Sequence, residues 1–183
     1  MQEARRLPAS GKPSWPQTGS MEMTMRLGLF FCSLLAVGAV TATPAATLPA
    51  PADLGLDGAE AARGGKPLVL FFSIPECQFC HVVRQNYLSP LLRTSNVGQR
   101  PVIREIDITS QRKIKGFDGS PGTQQAIARQ YGIRAAPTVL VVNARCKLLT
   151  EPIVGGDVSG LYGGYLDNAF AEAEKKLAVP TAD

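Results

Sequence analysis

The residues of this 183-residue chain best suited to chemistry crowd into one heptapeptide, Pro75-Glu76-Cys77-Gln78-Phe79-Cys80-His81. Two chemistries fit its spacing: a redox-active dithiol, or Cys-x-x-Cys-His as a covalent haem-attachment site. A dithiol needs the pair at the first turn of a helix, where side chains three apart share a face and the alpha carbons lie roughly 5.5 Å apart. There, unpaired backbone amides and the helix dipole favour a thiolate on the first cysteine. This makes Cys77 the nucleophile and Cys80 the resolving thiol, with Glu76, Gln78, Phe79 and His81 tuning the pair. Haem attachment would use His81 as one axial ligand and a Met or second His as the other. The chain has a single His, and no Met beyond position 25, so no haem is expected. Zinc fares no better, because Cys77 and Cys80 are half a site that Cys146 does not complete at a recognised spacing. No metal or organic cofactor is expected.

The dithiol reading demands a buried strand before the motif and a helix after it. Residues 68–73 (LVLFFS) form an apolar run without polar alternation, as in a strand covered on both faces. After the motif the period changes. Phe79, Val82, Val83, Tyr87, Leu88, Leu91 and Leu92 recur at helical spacing, and Pro90 should kink or restart that helix. Residues 101–108 read as a strand, 124–131 as a short helix and 138–142 as a second buried strand. Residues 148–154 pair back across the turn at Asn143-Ala144-Arg145, and Leu161, Leu166, Phe170, Ala173 and Leu177 line a C-terminal helix. The order βαβαββα predicts an α/β domain with a mixed central sheet and helices on both faces.

Immediately before the second buried strand stands Tyr131-Gly132-Ile133-Arg134-Ala135-Ala136-Pro137-Thr138. A proline there is also an ordinary way to start a strand. Together with the upstream Cys-x-x-Cys, however, the pattern resembles the thioredoxin superfamily over roughly residues 59 to 178. The resemblance implies a thioredoxin-like fold, a cis proline at Pro137 facing the active-site sulfurs, and substrate binding along the backbone of Ala136 and against Pro137. Within the superfamily the chain resembles exported thioredoxin-like proteins typified by the accessory periplasmic thioredoxin of bacterial sulfur oxidation, which carry an extended Phe-Asp-Gly segment. Here that segment spans residues 109–122, contains Phe117-Asp118-Gly119, and is expected to be a solvated surface loop. The chain departs from the superfamily pattern in two ways. Glu76 replaces an aromatic residue and Gln78-Phe79 replaces Gly-Pro, while Phe71 occupies the place of a buried carboxylate. Proton handling is therefore expected to run through water or Glu76.

Composition and targeting complete the expectations. From Arg26 a basic residue is followed by about fourteen apolar and small residues, too few to span a bilayer, and then by small residues suited to cleavage near Val40-Thr41-Ala42. The expected organisation is a start-site artefact or disordered leader over 1–24, a signal peptide over 25–42, a flexible linker over 43–58, the thioredoxin-like domain over 59–178 and a tail over 179–183. A retained membrane anchor is the competing reading of 25–42. The formal charge is +4. Removing the first 42 residues takes away four of the 19 Lys+Arg and two of the 15 Asp+Glu, leaving +2. Neither that balance nor any basic helix face argues for nucleic acid. Export leaves Cys77, Cys80 and Cys146 in an oxidising compartment. Cys146 is expected in an exposed turn as an incidental thiol, with intermolecular disulfide formation or glutathione attachment as the alternative. The functional expectation is a periplasmic thiol-disulfide oxidoreductase that reduces disulfide-containing periplasmic proteins and is recharged by a membrane electron-transfer protein. A disulfide-donating oxidase and a non-catalytic peptide-binding module of the same fold are the alternatives.

Overall fold

The computed structural model describes residues 47–94 and 100–178, all within the compact unit Ala42–Asp183. The expected leader, signal peptide and tail lie outside the described residues. No helix among the described residues is long and apolar enough to cross a membrane.

Strand β1 (Leu68–Ser73) is buried at every position, which requires cover on both faces of the sheet. It pairs in parallel with β2 (Val102–Asp107) and antiparallel with β5 (Thr138–Val142). Strand β6 (Ile153–Val154) adds antiparallel to β5, giving the order β2-β1-β5-β6. The expected mixed sheet is therefore present. The expected strand over 148–154 shrinks to this two-residue β6 and an isolated Val142–Leu148 bridge, because Pro152 offers no amide to a ladder.

Side chains alternate across the strands and build two cores. Val69, Phe71, Ile103, Val139 and Val141 point to one face, where they meet Cys80, Val83, Leu88, Tyr162, Leu166 and Ala173. Leu68, Leu70, Phe72, Ile106, Leu140 and Val142 point to the other, against Leu54, Ala61, Ile114 and Ile127. Phe71 and Phe72 are both fully buried, each contributing roughly 2–3 kcal/mol by removal from water.

Over the described residues 47–58, helix α1 (Leu54–Arg63) corrects the expected linker over 43–58. Asp53 caps it by accepting from the Leu56 amide at 3.1 Å, and Leu48 and Leu54 are both buried. The Pro- and Ala-rich composition of this stretch concealed two core anchors spaced six apart. Gly58 is needed within the helix, since a Cβ there would lie 2.5 Å from the Ala144 carbonyl oxygen.

The helix after the dithiol runs as α2 (Gln78–Val83), a π-helical turn (Arg84–Leu88) and α3 (Ser89–Arg93). Pro90 lacks an amide hydrogen, and in a regular helix its ring would strike the carbonyl four residues back. The wider turn, closed by the Ser89 amide donating to the Arg84 carbonyl, accommodates it.

Segment 109–122 is mostly solvent-exposed, as expected, but it is not a plain loop. It carries a short hairpin of β3 (Lys113–Lys115) and β4 (Pro121–Thr123). Ile114 is buried, and Phe117 meets Tyr131 edge-on at 6.3 Å, so Phe117 belongs to the second core. Helix α4 (Gln124–Gln130) follows, capped by Thr123. Helix α5 (Tyr162–Ala178) covers the dithiol face with Leu166 and Ala173, while Leu161 lies just before it and is exposed.

Candidate functional site

Cys77 is the N-cap of α2. Its backbone is extended, and its Sγ accepts from the Cys80 amide at 3.0 Å. That amide has no partner within the helix, so the sulfur sits where a developing thiolate would be stabilised by a hydrogen bond and by the positive end of the helix. The two cysteines form a disulfide with alpha carbons 5.1 Å apart. Cys80 is fully buried in the first core, whereas Cys77 is half-buried at its edge. The outer sulfur is therefore the one an incoming protein can reach.

Glu76, which precedes the pair, has φ of 55°. Only a small fraction of non-glycine residues adopt that left-handed conformation, and they concentrate at functional sites. Glu76, Gln78, Phe79 and His81 are all exposed and surround the pair on its solvent side. Phe79 rests on the backbone of Gly156, where a Cβ would come within 2.7 Å of the phenylalanine Cβ. Across the site the Ala136–Pro137 peptide is cis. Ala136 and Cys77 both pack on the edge of the first core, and the Pro137 carbonyl accepts from the Gly155 amide at 2.9 Å.

Behind the pair lies a network that sequence reasoning missed. Glu105 is the register partner of Phe71 across the β1–β2 pair. Its carboxylate accepts from Ser73 Oγ at 2.6 Å and from Arg84 Nε at 2.9 and 3.2 Å, with Arg84 Nη2 as a further donor. The Arg84 guanidinium lies 5.7 Å above the Phe71 ring. Hydrogen bonding to Glu105 holds Arg84 still more firmly protonated than usual, against the opposing effect of burial. The available signal was Glu105 itself, a carboxylate in a strand whose neighbours Ile103 and Ile106 are core residues.

A second missed contact is Tyr87, whose hydroxyl donates to Asp157. Asp157 also accepts from the Tyr162 amide at 3.4 Å, and these bonds, the Tyr87 one foremost, hold its carboxyl below the usual range. The Tyr87 and Tyr162 rings meet at 5.0 Å. Together these contacts tie the 155–161 segment, on which Phe79 rests, to the helix that carries the dithiol.

Cys146 lies elsewhere, on the opposite face of the sheet. It was expected to be exposed, but it is half-buried beside Tyr131 in the second core, with φ of 61°. Burial pushes its thiol up from 9.0, partly offset by a hydrogen bond with Tyr131. An apolar cavity of about 290 Å³ adjoins it, walled by Tyr131, Ile133, Leu140 and Leu148. Among the described residues no group of three or more His, Cys, Asp or Glu converges as a metal-ligand set.

A parallel β1–β2 pair, an antiparallel β5–β6 extension and helices on both faces define a thioredoxin-like fold, with a cysteine pair at the start of α2. The chain belongs to the thioredoxin-like domain family, whose model matches residues 54–157. Among solved structures it is similar to thioredoxin from Fasciola hepatica, at 12% identity over 69% of this chain and 99% of that one, with a TM-score of 0.46. It is also similar to mitochondrial thioredoxin 3 from Saccharomyces cerevisiae (17% identity; 66% and 94% covered; TM-score 0.43). A third similar structure is the oxidoreductase DsbH (16% identity; 71% and 90% covered; TM-score 0.46). Comparison with curated proteins finds no match.

Proposed function

We propose that this protein is an exported thiol-disulfide oxidoreductase that reduces disulfides in other exported proteins. The observation that carries the reading is Cys77 Sγ at the helix N-terminus, accepting the Cys80 amide. In the reduced form, the Cys77 thiolate attacks one sulfur of a substrate disulfide. A mixed disulfide forms, and the substrate's other sulfur leaves as a thiolate that takes up a proton. Cys80 then gives up its proton and attacks Cys77 Sγ, closing the Cys77–Cys80 bond and releasing the second substrate sulfur, which is protonated in turn. Two electrons pass to the substrate, whose two thiols take one proton from Cys80 and one from solvent. A membrane electron-transfer dithiol returns the protein to its reduced state. Ala136 and Pro137 hold the substrate strand beside Cys77.

The reductive direction rests on charge. Glu76 places a carboxylate directly before Cys77, where negative charge opposes the thiolate, while Gln78 is neutral, Phe79 apolar and His81 lies beyond the pair. A less stabilised thiolate makes the disulfide harder to reduce. The couple should lie nearer thioredoxin, about −270 mV, than a strong oxidant near −120 mV. The likeness of segment 109–122 to the accessory thioredoxin of sulfur oxidation points to that protein's kind of partner. Export follows from the signal-like run over 25–42. Because Leu48 is a core residue and the Pro49 carbonyl accepts from the Glu105 amide at 2.8 Å, cleavage belongs before residue 48.

Trapping tests the reading. With Cys80→Ser the mixed disulfide cannot be resolved internally, so exported partners should stay covalently attached to Cys77. The same adducts from a Cys77→Ser, Cys80→Ser double variant would make the protein a binding module instead. Equilibration with glutathione separates the directions: a midpoint above about −180 mV makes it an oxidase.

A further inference from the structure

We propose that Arg84 and Glu105 act as a positioning pair for the dithiol: Arg84 supplies positive potential at Cys77, and Glu105 sets how much of that potential reaches it. The inference rests on the dithiol reading above and adds two residues to that site.

The geometry is specific. Arg84 stands seven residues after Cys77, two helical turns on, and therefore on the same face. It is joined to the pair through the helix itself, its backbone amide donating to the carbonyls of Cys80 and His81. Its side chain helps to wall a cleft of about 330 Å³ whose other walls include Glu76, Cys77 and His81. Glu105 is on the odd-numbered face of β2 with Ile103, the face that packs against Cys80 and Val83. The side chains of Arg84 and Glu105 are only 19% and 16% exposed. At that exposure solvent screens their charges incompletely, and each acts on a neighbouring thiolate more strongly than a surface residue would.

Phe71 explains why the pair sits where it does. The aromatic side chain fills the core beneath the dithiol, with the Arg84 guanidinium 5.7 Å over its ring and Glu105 as its register partner on β2. Ser73 and Arg84 together engage both oxygens of Glu105, so the carboxylate is satisfied and the guanidinium is fixed in place. The other titratable groups around Cys77 are Glu76 and His81 on the cleft wall, and Asp157 on the segment behind Phe79. Glu76 and His81 are exposed, where their influence is weaker, and the Asp157 carboxylate is already engaged by Tyr87 and the Tyr162 amide.

The two charges oppose each other, so removing them should have opposite effects. Alkylation of Cys77 by iodoacetamide in the reduced protein, followed peptide by peptide across pH, reports the thiol's apparent pKa without any protein substrate. Glu105→Gln leaves the guanidinium uncompensated and should lower that pKa by about half a unit or more. Arg84→Gln leaves the carboxylate uncompensated and should raise it by a similar amount. The double variant should return close to the unmodified protein. Loss of a merely structural contact would move both single variants the same way, or neither, and either result overturns the proposal. Should Arg84→Gln not fold, Arg84→Lys keeps the charge and must keep the Cys77 profile, while Glu105→Gln alone carries the sign. Because alkylation is independent of partner capture, a failed trap with Cys80→Ser counts against the reductase reading and leaves this result standing.

Discussion

Arg104 and Glu105 are neighbours on β2, yet they serve opposite faces of the sheet. Arg104 reaches α1, where its Nε donates to Asp57 Oδ1 at 2.7 Å and its Nη2 to Glu60 at 2.9 Å. Glu105 reaches the dithiol helix and Arg84. On the Glu105 side both carboxylate oxygens are engaged. On the Arg104 side, Asp57 is 8% exposed and its Oδ2 has no hydrogen-bond partner. Burial dominates Asp57 and pushes its carboxyl up from 3.8 despite the adjacent Arg104. The cysteines divide in the same way. Cys77 meets an unpaired amide at a helix start, whereas Cys146 is pressed against Tyr131 in a low-dielectric corner. One face is arranged to hold a reactive charge, and the other only tolerates charge and thiol as part of its packing.

The largest test of that division removes one ring from each core. Phe71→Ala and Phe72→Ala should each cost about 3–5 kcal/mol, as buried Phe-to-Ala changes do, measured by denaturant unfolding. Only Phe71→Ala should also change the glutathione midpoint, since Phe72 lies on the far face. An equal change in both variants would erase the distinction between the faces.

A smaller effect separates the thiols. In the reduced protein Cys146 should be alkylated about tenfold more slowly than Cys77 at neutral pH, because the thiolate is the reactive species and burial raises this one above 9.0. Its rate should still be climbing above pH 9.0, read from labelled peptides.

The smallest effect is at Asp57. Its folded-state pKa is raised, so its contribution to stability is fully present below 3.8 and is lost as pH rises through the elevated value. Asp57→Asn keeps an acceptor for Arg104 without the charge. It should therefore match or slightly exceed the unmodified protein in melting temperature at neutral pH, with the margin disappearing toward pH 3.8. A variant less stable at neutral pH than at acid pH, relative to the parent, would assign the net benefit to the ion pair.

Much of this was legible in the sequence because short-range pattern and long-range packing agree. The LVLFFS run has to be covered on both sides, and it is; Thr138–Val142 is likewise a strand at the expected bounds. The Cys-x-x-Cys spacing fixed the site because its geometry is local to one helical turn. What was missed depends on contacts distant in sequence. Leu48 and Leu54 look like linker residues until the sheet provides a surface for them. Ile114 and Phe117 look like loop residues until Tyr131 and the second core come close. The Arg84–Glu105 pair joins residues 21 apart, and no local period announces which of two adjacent strand charges will face the dithiol.

The π-helical turn at Arg84–Leu88 also has a meaning in terms of insertion and deletion. It holds one residue more than a regular helix would need, in the manner of an insertion that the helix has absorbed. Deleting that one residue would restore α-helical winding with the flanking turns still close to register, but it would return the Pro90 ring against the carbonyl four residues back. A deletion in a regular stretch of helix would instead turn one end against the other by about 100°. A variant one residue shorter between Arg84 and Leu88 should therefore fold only when Pro90 is replaced as well, whereas substitution at an exposed position such as Gln78 should leave folding intact in either background.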